Sequence, residues 1–379
     1  MDTATRTDHS SRPLSAGSMC VHWTTPAPTP AGPLTASPSL ATAYHQDLDD
    51  IAPTRYGRWG HDGAEALEGA LGALDGGLSV VFNSGMAAIS AVLMSLLKPG
   101  QVFVVGGDTY YETQQIADQL RERGVHIRVL TDVAAQLADA VEGARLVLLE
   151  SPTNPLMGIH DLRECARLVH DAGALLAVDN SVSSPLGQRP LDLGADLVIT
   201  SDAKIVGGHN DIILGHVTIR DPELDSILRN WRHLHGTIPS AFDSWLTQRS
   251  IGSLEMRVER QSANAAALTH LLAGREEVTH LRWPGWQEDP GYAVASRQML
   301  RGGGLLAFQL PGRAHLHRFL RASRLIIPAT SYGGLQTMAN DIATWPHIKV
   351  PPGYVRISCG CETTSDLTDD VLHALDAAL

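Results

Sequence analysis

From residue 63 to residue 219 the chain alternates short, unbroken apolar runs with stretches of helical spacing. The runs are 78–82, 101–105, 126–130, 145–149, 174–178 and 197–200, and 212–219 continues as β structure. Helical spacing marks 63–74, 86–97, 113–123 and 162–172. A strand with one wet face alternates apolar and polar residues, so an unbroken run needs cover on both sides. This order predicts an α/β domain with a mostly parallel sheet between two helical layers. Before it, residues 1–45 are rich in Pro, Ser, Thr and Ala, and 46–62 are irregular. We read 1–62 as an N-terminal arm, with 1–45 a mobile arm or an extended segment. After residue 240 the pattern changes to one proline-free helical region over 242–272, short apolar segments at 305–310, 325–327 and 355–358, and a closing helix over 366–379. The division is therefore arm 1–62, α/β domain 63–240 and a smaller α+β domain 241–379.

Composition removes several classes of function. The chain is 44% hydrophobic, enough to build a core, so bulk disorder is excluded. A net charge of −12 argues against nucleic acid as a partner. The longest apolar stretch, 86–97, is too short to span a bilayer, and no signal-peptide pattern opens the chain. Four cysteines in 379 residues make no disulfide scaffold, and the 17 histidines form no metal-ligand motif. A cytoplasmic protein without a metal is expected.

Lysine is scarce. Only Lys98, Lys204 and Lys349 occur, so 26 of the 29 basic residues (29 − 3) are arginine. Codon bias accounts for such a ratio, yet a retained lysine can do what arginine cannot, which is to lose its proton. Lys204 lies between two core strands and precedes a glycine pair. Burial there would free its amine to attack carbonyls; a surface turn lysine is the plainer alternative. Asp179 ends a strand where α/β proteins place ligands, or it is a turn residue. Gly85 and Met86 open a helix after a strand, a setting that cradles a phosphate or is a simple turn capped by Ser84. Asn154 sits between two prolines in a rigid turn. Arg356 lies within an apolar strand and faces either a substrate carboxylate or solvent. Cys359 and Cys361 read as packing residues. A phosphate cradle, an acid, an asparagine, a lysine and an arginine on one scaffold together suit pyridoxal 5′-phosphate.

The stretches Tyr56-x-Arg58, Ser84-Gly-Met-Ala-Ala-Ile89, Glu150-Ser-Pro-Thr-Asn-Pro155, Val178-Asp-Asn180, Ser201-x-x-Lys204-x-x-x-Gly-His209-x-Asp211, Ser331-x-Gly-Gly334 and Val355-Arg-Ile-Ser-x-Gly-x-Glu362 carry a resemblance. From about Thr54 onward the chain resembles the Cys/Met-metabolism enzymes that use pyridoxal phosphate, of fold type I: cystathionine γ-synthases, γ-lyases and β-lyases and methionine γ-lyases. The 25-residue interval from Asp179 to Lys204 is also theirs.

The resemblance implies roles. Lys204 would be the Schiff-base lysine and proton shuttle, and Asp179 would keep the pyridine nitrogen protonated. Gly85, Met86 and Ser201 would bind the phosphate, with Tyr56 and Arg58 reaching it from a neighbouring subunit. Tyr110, or Tyr111 beside it, would stack on the ring and assist proton transfer. Arg356, Asn154 and Ser331 would hold the substrate carboxylate, Asn154 would also contact the cofactor, and Tyr111 would meet the substrate. A homo-oligomer, usually a dimer of dimers, would follow.

Departures point to a specialised substrate. Tyr111 and Glu112 stand where the family often has Gly-Gly, Asp202 and Ala203 alter the usual Ser-Ala-Thr-Lys, and Thr330 replaces a glutamate common in cystathionine enzymes. The expected reaction is γ-elimination or γ-replacement on an L-amino acid. β-Elimination, transamination and a non-catalytic scaffold are the alternatives.

Overall fold

The computed structural model describes residues 14–23, 25, 30–45, 56–345 and 347–379. Much of the expected arm, including Thr54 where the resemblance begins, lies outside them.

Seven strands form the larger sheet: β1 (Leu78–Phe82), β2 (Val102–Gly106), β3 (His126–Leu130), β4 (Ala144–Glu150), β5 (Leu175–Asp179), β6 (Leu197–Ser201) and β7 (Gly215–Ile219). Their order is β1-β7-β6-β5-β4-β2-β3. Only β7 runs against its neighbours, so the expected mostly parallel sheet is present. Successive side chains serve opposite layers. Phe103, Val105, Leu146 and Leu148 pack in the cluster that includes α3 (Gly85–Leu96), preceded in the chain by α1 (Ala16–His22) and α2 (Asp62–Asp75). Val104, Val147 and Leu149 face the other way with residues of α5 (Val133–Ala140) and α6 (Leu162–Asp171), which follow α4 (Tyr111–Glu122). Each large apolar side chain so buried contributes ~1.5–3 kcal/mol. This two-sided burial is why the strands read as continuous apolar runs.

A short helix α7 (Ser184–Gly187) follows β5, and α8 (Pro222–His235) and α9 (Ala241–Ile251) follow β7. Next comes α10 (Leu254–Ala273). The second sheet has five strands: β8 (Thr279–Arg282), β9 (Leu305–Gln309), β10 (Ile327–Pro328), β11 (Met338–Asp341) and β12 (Tyr354–Ser358), in the order β10-β11-β12-β9-β8. The helices α11 (Tyr292–Gln298), α12 (Arg313–Ala322) and α13 (Thr364–Ala378) complete the chain. Phe308, Val355 and Ile357 of this sheet share a core with Leu268, Phe319 and Val371 from α10, α12 and α13.

Two expectations need correction. Residues 16–22 are not a mobile segment: α1 is capped by Ser15, and Cys20 is buried against the apolar face of α2. Its few apolar positions are too sparse to show among the surrounding prolines. The single helical region over 242–272 is two helices, because Gly252 and Ser253 end α9 and restart the chain as α10. Proline-free sequence alone does not make a helix continuous.

Candidate active site

The C-terminal ends of β4, β5 and β6 carry Glu150, Asp179 and Ser201, and the loops beyond them carry Asn154, Ser181 and Lys204. The N-terminus of α3 opens on the same side, and β12 brings Arg356 from the second sheet. Together they line a cavity of about 660 Å³.

At one wall Ser84 caps α3, its Oγ accepting from the Ala87 amide at 3.0 Å. Among the described residues the Gly85 and Met86 amides have no partner. Two free N–H groups at a helix N-terminus favour an anion. The Ser201 hydroxyl adjoins them: a Cβ on Gly85 would lie 2.7 Å from the Ser201 Cβ. A Cβ on Gly215 would likewise lie 2.6 Å from the Gly85 Cα. The close approach of these backbones requires both glycines.

Asp179 is buried, and its Oδ1 accepts from the Ser181 amide at 2.9 Å and the Ser181 hydroxyl at 2.6 Å. Burial pushes its carboxyl up, against the Ser181 hydrogen bonds and the Lys204 charge. Ser181 also accepts from the Ser201 amide at 2.7 Å, which ties the ends of β5 and β6 together. Lys204 is mostly buried, with its Nζ 2.8 Å from the Ser331 hydroxyl and 5.2 Å from the Tyr332 ring centre. Burial, then the Arg356 charge, lowers its pKa; Asp179 and Glu112 oppose the shift. The surface-lysine alternative is thereby excluded.

Arg356 faces inward and is 1% exposed. Its Nη1 donates to Asn154 Oδ1 at 2.6 Å, its Nη2 donates to the Ser331 carbonyl, and its buried Nε has no partner among the described residues. Burial pulls the guanidinium down to about 10. A buried arginine with a donor unmet suits a carboxylate ligand. Ser331 adopts a φ of +74°, which brings both its carbonyl and its hydroxyl to this point.

Tyr110 and Tyr111 form the facing wall with ring centres 4.9 Å apart. Burial, then the Glu112 charge and Tyr111, raise the Tyr110 pKa, so its phenol keeps its proton. Tyr56 and Arg58 do not line this cavity. They sit together near α8, with the Arg58 guanidinium 5.7 Å from the Tyr56 ring centre and bonded to the His233 carbonyl.

Three contributors lay beyond the sequence reading. The buried Glu150 carboxylate accepts from the Tyr110 amide at 2.7 Å and the Asn154 amide at 3.0 Å. Tyr332 packs between Lys204 and Arg356, each 5.2 Å from its ring centre. Trp345 also lies under Arg356, at 5.5 Å. The Glu150 position was visible as part of a motif. Nothing local marks Tyr332 or Trp345, because their roles arise only when the second sheet folds onto the first.

The profile of the family described as "Cys/Met metabolism PLP-dependent enzyme" matches residues 19–376. A Streptomyces coelicolor protein provisionally named cystathionine gamma-lyase is 41% identical over 366 residues, covering 95% of this chain and 93% of its own. Cystathionine gamma-synthase of Escherichia coli is 36% identical, over 85% of this chain and 88% of that protein. The solved cystathionine gamma synthase of Xanthomonas oryzae superposes with a TM-score of 0.93 at 33% identity, covering 97% and 99% of the two chains. The fold is that of an α/β enzyme. The chain belongs to the Cys/Met metabolism family of pyridoxal phosphate-dependent enzymes. The residues present fit that cofactor: unpartnered amides beside a serine for a phosphate, a buried carboxylate for a ring nitrogen, and an amine of lowered pKa for an aldehyde.

Proposed function

We propose that the enzyme eliminates or replaces a leaving group at the γ carbon of an L-amino acid, the group being a thiolate, an acyloxy group or a halide. One observation carries this reading: Lys204, the unmet donor of Arg356 and the protonated Tyr110 meet in one cavity. Related proteins named cystathionine gamma-synthase and a solved methionine gamma lyase of Micromonospora echinospora support it.

On this reading Lys204 would attach the cofactor and Asp179 would pair with its ring nitrogen. Gly85, Met86 and Ser201 would hold the phosphate, and Tyr110 would lie against the ring. Asn154 orients Arg356 through their 2.6 Å bond, and Ser331 holds the Lys204 amine and the Arg356 guanidinium at once. Bound pyridoxal phosphate supplies an electron sink for negative charge developing at the substrate's α and β carbons. Arg356 binds the substrate carboxylate and fixes the α carbon beside Lys204. The burial that lowers the Lys204 pKa favours its neutral form, which would take a proton from Cα, hand it on to the bound cofactor and, neutral again, take one from Cβ. As the bond at Cγ breaks, its electron pair leaves with the departing atom and Tyr110 supplies that atom's proton. Water then completes elimination to a 2-oxo acid and ammonia, or a nucleophile forms the new bond at Cγ.

Tyr56 and Arg58 belong, on this reading, to the site of an adjoining subunit in a homo-oligomer, which accords with their place outside this chain's own cavity. The working compartment is the cytoplasm; four free cysteines, three of them buried, suit a reducing medium. Among the described residues no helix is long and apolar enough to cross a membrane.

The test is product analysis with γ- and β-substituted amino acids, with and without a thiol nucleophile. 2-Oxobutanoate with ammonia, or a γ-substituted adduct, is expected from the γ series. Pyruvate from the β series alone would make the reaction β-elimination. A 2-oxo acid without ammonia would make it transamination. A protein that takes up no cofactor would be a scaffold.

A further inference from the structure

We propose that Glu112 recognises a cation on the departing part of the substrate, so that the preferred substrate is an α-amino acid whose γ leaving group carries an ammonium ion. The inference rests on the reaction proposed above and names the substrate class its site takes.

The charges around the cavity lead there. Three carboxylates line it: Glu112, Glu150 and Asp179. Glu150 is occupied by two backbone amides, and Asp179 is held by Ser181. Glu112 Oε1 accepts the Tyr111 hydroxyl at 3.1 Å, the Tyr110 phenol lies within hydrogen-bonding reach of the same carboxylate, and among the described residues Glu112 has no ion-pair partner. The lining cations are already engaged, Lys204 with Ser331 and Arg356 with Asn154 and the Ser331 carbonyl. Among the described residues Glu112 is thus the lining carboxylate that neither a backbone amide nor a cation holds.

A carboxylate in the first turn of α4 is tolerated because the helix N-terminus favours negative charge. That does not account for the way it is held. The Tyr111 ring meets Tyr110 edge-on at 4.9 Å and stacks on the His347 ring at 5.0 Å. Rings fixed on two sides hold the Tyr111 hydroxyl on the Glu112 carboxylate. The carboxylate is also close enough to act on the chemistry, since its charge raises the pKa of both Tyr110 and Lys204.

The neighbours of Glu112 set what meets it. On the reading above Arg356 takes the α-carboxylate and Tyr110 stands at the departing atom, and Glu112 lies close enough to Tyr110 for its charge to raise that phenol's pKa. A substrate cation paired with Glu112 then sits on the departing side. Residue 330, also in the lining, is a neutral threonine. No further described lining lysine or arginine waits at that end for a second carboxylate. The pole selects an ammonium alone over a zwitterion. A hydrogen bond to a charged partner gives a preference of ~10–100-fold over an uncharged analogue.

The test has two parts. Calorimetry on the holoenzyme compares L-lysine with L-norleucine, which share a straight chain and lack a leaving group. The expected result is lysine binding at least 10-fold tighter, that preference collapsing in Glu112→Gln and partly surviving in Glu112→Asp, which keeps the charge and so separates charge from folding. Kinetics then compare S-(2-aminoethyl)-L-homocysteine with S-propyl-L-homocysteine, and a similar preference in kcat/KM is expected. Equal affinity for lysine and norleucine would overturn the proposal. So would a Glu112→Gln enzyme that loses both ligands alike, because Glu112 would then act on the fold or on Lys204. If neither thioether is cleaved while the lysine preference persists and depends on Glu112, the reaction reading fails and the cation subsite stands.

Discussion

His216 is fully buried between two carboxylates, with Asp202 at 2.9 Å from Nδ1 and Asp75 at 2.8 Å from Nε2. Burial alone would lower its pKa. The charge and hydrogen bond of Asp202, then the contact with Asp75, reverse this and raise it to about 10. In the unfolded chain a histidine titrates near ~6.5. A group raised on folding stabilises the fold fully below its unfolded pKa and loses that contribution as pH climbs to the folded value. His216→Gln should therefore lower stability by ~3–5 kcal/mol at pH 6. The gap to wild type should narrow between about pH 6.5 and pH 10. Thermal unfolding across that range checks it; a constant gap would mean that His216 is not charged in the folded protein. Asp202 also accepts the Gly207 amide at 2.8 Å through its carbonyl, so the same residue fixes the turn that carries Lys204. In the sequence Lys204 stood out because lysine is scarce. The His216 charge did not, since its partners lie 14 and 141 residues away.

At the scale of elements, α3 shows how a packing requirement becomes a binding site. Its first residue has no side chain because a Cβ there would meet Ser201 at 2.7 Å. Gly85→Ala must push Ser201 aside, a strain of ~1–3 kcal/mol, and should weaken cofactor affinity by ~10–100-fold. Fluorescence titration of the apoenzyme with pyridoxal phosphate measures this, and an unchanged affinity would remove Gly85 from the phosphate cradle. The central strands were legible because burial on both faces leaves an unbroken apolar run. The helices α5, α8 and α12 were not read from the sequence. α8 and α12 present strongly polar outer faces, with buried side chains only at Leu224, Leu228 and Arg232 in the first and at Leu316 and Phe319 in the second. The break between α9 and α10 falls at Gly252 and Ser253, with no proline to mark it. In the site, residues carried by strand ends were legible, whereas Tyr332 and Trp345, delivered by loops of the second sheet, had no local mark.

For the whole molecule, the cavity belongs to both sheets at once. The larger supplies Asp179 and Lys204, the smaller supplies Arg356, and neither makes the site alone. If a second chain also contributes, co-expressing Arg58→Ala with Lys204→Ala should restore activity to about a quarter of wild type, since random pairing leaves one intact site in half of the dimers. Either variant alone should stay well below that level, and a mixture no better than its parents would place Arg58 outside the site. Glu150 ties two ends of this assembly together. One carboxylate grips the amide of Tyr110 and the amide of Asn154, and Asn154 in turn grips Arg356. On the proposed reading the proton donor and the carboxylate clamp are jaws of one caliper, pinned at a single point. Such a tool gauges the number of carbons between a substrate's carboxylate and its breaking bond, and loosening the pin would blur that count before it dulled either jaw.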